Sequence, residues 1–165
     1  SGLSGKGVAT HRYVENKKNL NELNSLLIEL ITVYRQNFKL DPSKTKALTN
    51  NLPFKIDRPW INYQKKYEFI PQHTHDGVFS YTIWIDLPDN EGDYASTFEF
   101  TYSDIQGIHR SNTVKLNKKD NGRMLFFPST IVHQVYPFYN SNKKRISISG
   151  NILFNSLTKD SYVYK

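Results

Sequence analysis

Three of the five histidines lie in segments rich in β-forming residues: His73 and His75 in "IPQHTHDGVFSYTIWI", and His133 in "TIVHQVYP". On a β-strand, residues i and i+2 point to the same side. His73 and His75 can therefore face one cavity, about 7 Å apart along the strand. His133, from a distant segment, offers a third imidazole, and imidazole binds Fe, Zn, Cu and Ni. The pattern is compatible with a metal site, but two surface histidines and a core or hydrogen-bonded His133 explain the spacing at least as well.

A possible anion site follows in "KKRISISGNI". Strand alternation puts Arg145, Ser147 and Ser149 on one face and the isoleucines between them on the other. If the first face is interior, the buried cation needs an anionic partner. Arginine grips a carboxylate with a planar two-point fork, and a hydroxyl can add a third hydrogen bond. The alternative is an exposed Arg145 with the isoleucines facing inward.

The elements that must position these residues are mostly short strands. After Trp60 the chain alternates between β-forming runs and turn-forming stretches such as "PDNEGD" and "KDNG". Seven or more such runs predict a mainly β (α+β) fold of the sandwich or jelly-roll type. We expect residues 60–155 to form this core within a single domain spanning 1–165.

The first third of the chain reads differently. Residues 1–15 are expected to be a flexible leader, and residues 16–52 to be helical. Leu20, Leu23, Leu27, Leu30, Ile31, Tyr34 and Phe38 recur every three or four residues and form one apolar stripe. Asn19 has the spacing of an N-cap, and Asp41–Pro42 predicts the start of a second, short helix. These helices should pack on one face of the sheets.

Composition sets limits on the class of protein. The chain has no cysteine, which rules out disulfides and thiolate metal sites, and no apolar run long enough to span a membrane. A cytoplasmic location is expected, in the host cytoplasm if the source is viral. The net charge of +7 comes largely from dispersed lysine pairs. A nucleic-acid partner is therefore only weakly supported.

Taken in order, the motifs resemble a known group of enzymes. The chain reads Trp60-Ile-Asn62, then "PQHTH", then "GRMLFFPSTIVHQVYP", then "RISISGN". This series is similar to the iron(II)/2-oxoglutarate dioxygenases, and most of all to the small 2-oxoglutarate/iron oxygenases common in marine bacteria and bacteriophages. The resemblance runs from about residue 60 to 155.

The resemblance implies a double-stranded β-helix, the jelly-roll or cupin-like barrel, and assigns residue roles. His73 and His133 would bind iron(II), and Arg145 would pair with the distal carboxylate of 2-oxoglutarate with help from Ser147. In similar enzymes a tyrosine hydroxyl often meets this carboxylate, and our choice here is Tyr63. Tyr63, Tyr81 and Trp84 could all line the pocket, but core packing is the commoner role of such residues. The implied reaction uses O₂ to convert 2-oxoglutarate to succinate and CO₂ and hydroxylates an unactivated C–H bond.

The chain departs from the superfamily pattern at one position. The usual metal site has two histidines and a carboxylate two residues after the first, and here that position is His75. Our first choice is a three-histidine site of His73, His75 and His133. Asp76, which only a bulge would turn inward, and Glu99 are the other candidates for the third ligand.

Two other functions stay open, and the substrate is not identified. A cupin-like enzyme could use three histidines without 2-oxoglutarate, but it would have no need of Arg145. A non-catalytic β-sandwich binding module would retain no metal. The substrate could be a protein side chain, a nucleobase or a small metabolite. We expect the polar stretch from about Tyr102 to Lys119 to be a loop that covers the mouth of the barrel and selects the substrate.

Overall fold

The computed structural model describes residues 7–37, 54–89 and 95–154 of the chain. Ten strands are present in these ranges: β1 Thr10–Tyr13, β2 Phe54–Ile56, β3 Trp60–Gln64, β4 Ile70–His73, β5 Phe79–Asp86, β6 Phe98–Ser103, β7 His109–Val114, β8 Met124–Pro128, β9 Val132–Val135 and β10 Arg145–Phe154. They are accompanied by one α-helix, α1 Lys17–Asn37, and a 3₁₀ turn, Lys118–Asp120.

The strands form two antiparallel sheets. The larger sheet has the order β1-β3-β10-β5-β8, with β2 also paired to β10, and the smaller has the order β4-β9-β6-β7. Trp84 and Phe127 from the larger sheet pack with Phe98 and Val135 from the smaller one in a single apolar cluster. The core between the two sheets is thus built by inward-facing alternate residues. The predicted mainly β, double-stranded β-helix architecture is confirmed, as two facing sheets rather than a closed barrel.

Helix α1 packs on the outer face of the larger sheet. Leu27 and Ile31 are buried there against Phe79 and Ile152, with Leu23 and Tyr34 packed beside them. The one-sided packing of the stripe is thus confirmed for these four residues, whereas Phe38 lies outside the described residues. The helix begins at Lys17, and the predicted N-cap is wrong, because Asn16 and not Asn19 caps it. The Asn16 side chain accepts hydrogen bonds from the backbone N–H groups of Lys18 and Asn19.

Two expectations about the first 52 residues change. The described ranges contain one helix rather than several, and the short helix predicted from Asp41 lies outside them. The predicted leader of residues 1–15 is wrong for Thr10–Tyr13, which pair with β3 as an edge strand. Val8, Thr10 and Tyr13 in "VATHRY" are β-forming residues, but the run does not alternate between apolar and polar, so its local strand signal is weak.

The polar stretch from Tyr102 to Lys119 is also not a loop. Its first part forms a hairpin in which β7 pairs with β6 along six residues, from Phe98↔Val114 to Ser103↔His109. Asp104 closes the turn, because its side chain accepts hydrogen bonds from the N–H groups of Gln106 and Ile108. Because β7 is an edge strand with exposed side chains, its polar composition resembled that of a loop.

Candidate metal and cosubstrate site

The pairing of β4 with β9 brings the histidines together. His73 and His133 are direct partners in the antiparallel register. His75 follows β4 by two residues, and its backbone N–H donates to the carbonyl of Ser129 at 3.0 Å. This bond fixes the chain just beyond the strand, so that the third imidazole turns toward the other two.

The three imidazoles surround one point. Their ring centroids are 4.2 Å apart for His73–His133, 4.8 Å for His73–His75 and 5.1 Å for His75–His133. One ring nitrogen of each lies within 4.8 Å of those of the other two. Such convergence of three neutral donors fits a divalent transition metal with further positions open for small ligands.

Hydrogen bonds set the orientation of two of these rings. Nδ1 of His73 lies 2.7 Å from the carbonyl of Pro71, and Nδ1 of His133 lies 2.8 Å from the carbonyl of Ile131. A carbonyl can only accept, so each Nδ1 carries the proton. The lone pair is therefore on Nε2, which is the tautomer that a metal-binding histidine requires.

Burial keeps the imidazoles uncharged. Loss of solvent lowers the pKa of His73, lowers that of His75 to about 4 and lowers that of His133 to about 3. The Pro71 and Ile131 carbonyls oppose this shift at His73 and His133, and repulsion between the imidazolium forms adds to it at His75 and His133. At neutral pH the site presents three neutral ligands with no proton to displace.

Aromatic rings enclose the cluster. Phe98 stacks on His133 with centroids 5.4 Å apart, and Phe127 meets the same ring edge-on at 5.0 Å. Trp60 contacts His75 at 5.7 Å. These contacts exclude water from the back of the site and hold the rings in one orientation.

Arg145 lies in the same cavity and has no charged partner among the described ion pairs. Only 3% of its surface is exposed. Its Nη1 donates to the carbonyl and the hydroxyl of Ser96, at 2.8 and 3.2 Å. Burial lowers its pKa to about 9, so the guanidinium remains charged at neutral pH. A buried, uncompensated cation is a binding site for an anion.

A hydroxyl and amide network continues from Arg145 along β10. Asn62 Nδ2 donates to the hydroxyls of Ser147 and Ser149, at 3.3 and 3.0 Å. Ser149 in turn donates to Thr82 at 3.2 Å. These side chains form a polar floor between the arginine and the histidines, which suits a ligand with a carboxylate at each end.

One cavity of about 240 Å³ joins these parts. Its walls contain His73, His75, His133, Arg145 and Ser147, so the structure brings together five of the six residues predicted for the site. Tyr63 is not among the residues that line the cavity. Strand alternation turns Asn62 and Gln64 inward and Tyr63 outward, where its ring lies 5.9 Å from the Lys144 ammonium.

The two alternative carboxylates do not join the histidines. Glu99 lies on the outer face of the smaller sheet, where it accepts hydrogen bonds from Gln134 and Tyr136 at 2.7 and 3.0 Å. Asp76 is exposed and is not part of the histidine cluster. Within the described ranges, the candidate ligand set is His73, His75 and His133.

Several cavity residues were missed by the sequence analysis. Gln64 is buried beside Arg145 in the strand register and donates to the carbonyls of Glu68 and Tyr136. Residues in and just before β1 also line the cavity; they are Val8, Ala9, His11 and Tyr13. Alternation along "WINYQ" puts Gln64 on the same face as Asn62, whereas the β1 residues fall in the segment predicted to be a leader.

Comparison with known proteins agrees with this geometry. A sequence family described as "Putative 2OG-Fe(II) oxygenase" matches residues 58–151. No curated protein sequence matches the chain. Within the described ranges, no helix is long and apolar enough to cross a bilayer.

Three solved structures are similar in fold. The viral collagen prolyl hydroxylase vCPH of Paramecium Bursaria Chlorella virus-1 has a TM-score of 0.56 and 9% identity over 88% of this chain and 79% of its own. A Pseudomonas putida prolyl-4-hydroxylase has a TM-score of 0.54 and 13% identity over 86% and 67%. The epimerase SnoN from nogalamycin biosynthesis has a TM-score of 0.51 and 14% identity over 91% and 65%.

The chain therefore spans about two thirds of the bacterial hydroxylase and slightly less of SnoN. At these identities the structures show the shared fold, and the match over residues 58–151 covers more than half of the chain. With the histidine cluster and the buried arginine in place, the chain belongs to the 2OG-Fe(II) oxygenase family.

Proposed function

We propose that the protein is an iron(II)- and 2-oxoglutarate-dependent dioxygenase that hydroxylates its substrate. The observation that carries the proposal is the cavity lined both by three neutral imidazoles and by a buried arginine that forms no ion pair with the described residues. His73, His75 and His133 would hold the metal, and Arg145 with Ser147 would hold the distal carboxylate of 2-oxoglutarate. When bound, the metal and 2-oxoglutarate supply the activation of O₂, with succinate and CO₂ as coproducts.

The protein contributes binding, orientation and exclusion of water. The carbonyls of Pro71 and Ile131 keep the protons of His73 and His133 on Nδ1, away from the metal. Ser96 anchors one nitrogen of the Arg145 guanidinium, so the fork can present its other donors to a carboxylate. Phe98 and Phe127 keep solvent from the ring of His133.

Hydroxylation is the reaction that we prefer, because two of the three similar structures are prolyl hydroxylases. SnoN, an epimerase described as α-ketoglutarate-dependent, has the same fold, so the choice needs a direct test. Turnover under ¹⁸O₂ should add one labelled oxygen atom to the substrate. Epimerisation would leave the product mass unchanged.

The first test is an anaerobic titration of the metal-free protein with Fe(II) and then with 2-oxoglutarate. We expect the visible charge-transfer band of a 2-oxoacid chelated to iron. Arg145→Ala should weaken cosubstrate binding by about 10- to 100-fold, because a charge-assisted contact is lost. Arg145→Lys keeps the charge without the planar fork and serves as the variant that preserves folding. Arg110→Ala removes an exposed arginine on β7 and should have no effect on cosubstrate binding.

The outcomes separate the competing functions. Metal binding without the 2-oxoglutarate band would support the cupin-like enzyme. Absence of metal binding would support the non-catalytic module. A band that is equally strong in wild type and Arg145→Ala would contradict the role of Arg145.

A further inference from the structure

The cavity has a second charged end, opposite to Arg145. Among the described residues that line it, Asp57 is the one carboxylate and Arg145 the one arginine or lysine. Asp57 follows β2, and its backbone N–H donates to the carbonyl of Asn151 at 2.9 Å. Arg145 and Asn151 lie at separate points of β10, about 20 Å apart by the rise of a strand. The two charges therefore mark opposite ends of one space.

The histidines lie toward the Asp57 end. Trp60 contacts His75 and pairs in register with Ser149, which is near Asn151 on β10. A 2-oxoglutarate that reaches from Arg145 to the metal would occupy the other half of the cavity. The space beside Asp57 is thus left for the molecule to be oxidised.

Asp57 is not neutralised by a neighbouring cation in the part of the chain that the structure describes. None of the ion pairs among those residues includes Asp57. Arg58, the adjacent residue, directs its guanidinium to Glu15 at 3.2 Å and to the Tyr13 ring, 5.1 Å from the ring centroid. The carboxylate charge of Asp57 is therefore available to a ligand.

The remaining walls suit the stem of a cationic side chain. Trp60 and Tyr13 are register partners on β3 and β1 and both line the cavity. Aromatic faces attract cations, as the position of Arg58 over Tyr13 illustrates. The Tyr13 ring already carries Arg58, so the Asp57 carboxylate and the Trp60 ring form the site for an N–H-bearing cation.

We infer that the substrate of this oxygenase carries a positively charged nitrogen, an ammonium or guanidinium group on an aliphatic stem, which binds to Asp57. The inference rests on the proposed function for the reaction that follows binding. The binding of the cation does not depend on the proposed function and can be measured with or without metal.

The test compares matched probes by calorimetry under anaerobic conditions, with the metal-free protein and with the protein loaded with Fe(II) and 2-oxoglutarate. The probes are N-acetyl-lysine methylamide, its neutral counterpart N-acetyl-norleucine methylamide, and N-acetyl-glutamate methylamide. We expect the lysine probe to bind about tenfold or more tightly than the norleucine probe, because it gains a charge-assisted hydrogen bond. The glutamate probe should bind most weakly at this end.

Variants assign the preference to the named residues. Asp57→Asn should abolish the preference for lysine over norleucine. Asp86→Asn, which changes an exposed carboxylate on β5, should leave it intact. Equal binding of the lysine and norleucine probes, no binding of either, or a preference that survives Asp57→Asn would overturn the inference.

Failure of the two proposals can be told apart. An Asp57-dependent preference for lysine without a 2-oxoglutarate band would mean that the cavity binds a cation but the proposed reaction is wrong. A normal band without that preference would retain the dioxygenase and remove the cationic substrate.

Discussion

At the scale of single residues, His75 distinguishes this site. It stands where the family resemblance leads one to expect a carboxylate, and the structure places it with His73 and His133. Three imidazoles carry no negative charge, so a bound divalent ion keeps both of its positive charges. Imidazole also suits zinc, copper and nickel, whereas carboxylate oxygen favours harder ions. The site is therefore expected to prefer iron over zinc, copper or nickel less strongly than a site with two histidines and a carboxylate does.

Replacement of His75 tests this directly. His75→Ala should lower metal affinity by about 100-fold or more, since even outer contacts of metal ligands contribute factors of about 10–100. His75→Asp should retain binding and shift the preference from zinc toward iron. Competition dialysis followed by metal analysis measures both effects, with the exposed His109→Ala as control. Unchanged metal content in His75→Ala would shift the assignment to Asp76.

The histidine pKa values give a pH dependence with a defined sign. The folded-state pKa values of His75 and His133 are lowered to about 4 and about 3, below the unfolded value of about 6.5. Between pH 6.5 and these lowered pKa values the unfolded chain binds more protons than the folded chain. The neutral histidines therefore contribute fully to the free energy of unfolding above pH 6.5, and this contribution is lost as the pH falls.

For the metal-free protein, each such histidine can remove up to about 1.4 kcal/mol of unfolding free energy per pH unit below 6.5. Urea unfolding at pH 7 and pH 5 measures this loss. His133→Phe should make the dependence shallower, and His109→Ala should not change it. A stability that is flat between pH 7 and pH 5 would contradict the neutral, buried state of the cluster.

At the scale of elements, β1 closes one side of the cavity. It pairs with β3 from Thr10↔Tyr63 to Tyr13↔Trp60, and just before it Phe69 N–H donates to Gly7 and Ala9 N–H donates to Phe69. This segment thus bridges the edge of the larger sheet and the chain entering the smaller one. Without it, the wall beside Asn62 would be open to solvent.

Arg12→Pro tests the contribution of β1. Val14 N–H donates to the carbonyl of Pro59, and strand alternation then points the N–H of Arg12 toward β3 as well. Proline removes that ladder bond, so we expect a lower melting temperature and weaker 2-oxoglutarate binding. Arg12→Ala keeps the backbone bond, removes only an exposed side chain and is the control. Equal melting temperatures for the two variants would show that β1 contributes little.

At the scale of the whole molecule, overall charge and site charge point in different directions. The net charge of +7 favours acidic partners in general, while the substrate end of the cavity carries Asp57. Nucleic-acid binding and a cytoplasmic location both stay predictions. Long-range attraction to polyanions would be screened by salt, whereas selection inside the cavity depends on contacts that salt affects much less.

Ligand binding should stabilise the folded chain in two separable steps. Metal at about 100 times its Kd should add about 2.7 kcal/mol to the free energy of unfolding. For a chain of this length that corresponds to a rise of about 5–10 °C in melting temperature. 2-Oxoglutarate should add a further increment only when metal is present. Arg145→Lys should keep the first increment and lose most of the second. Thermal unfolding with and without each ligand measures them, and equal increments in wild type and Arg145→Lys would contradict the carboxylate site.

The sequence by itself determined the parts that depend on local pattern. Period-two runs predicted the strands and put Arg145, Ser147 and Ser149 on one face, and period-3.6 spacing predicted the buried stripe of α1. The order of motifs between Trp60 and Asn151 was enough to indicate the family. These features are local because side-chain direction follows directly from backbone geometry.

Only the tertiary structure decided how separate segments meet. The register His73↔His133 brings two of the candidate ligands together. Strand β1 lies in the segment predicted to be a leader, yet it pairs with β3 and forms a wall of the cavity. Tyr63 and Glu99 do not line the cavity, whereas their strand neighbours Asn62 and Phe98 do. The isolated charge of Asp57 is likewise visible only once its surroundings are known. Strand pairing and burial depend on contacts between residues far apart in the chain, which local patterns do not specify.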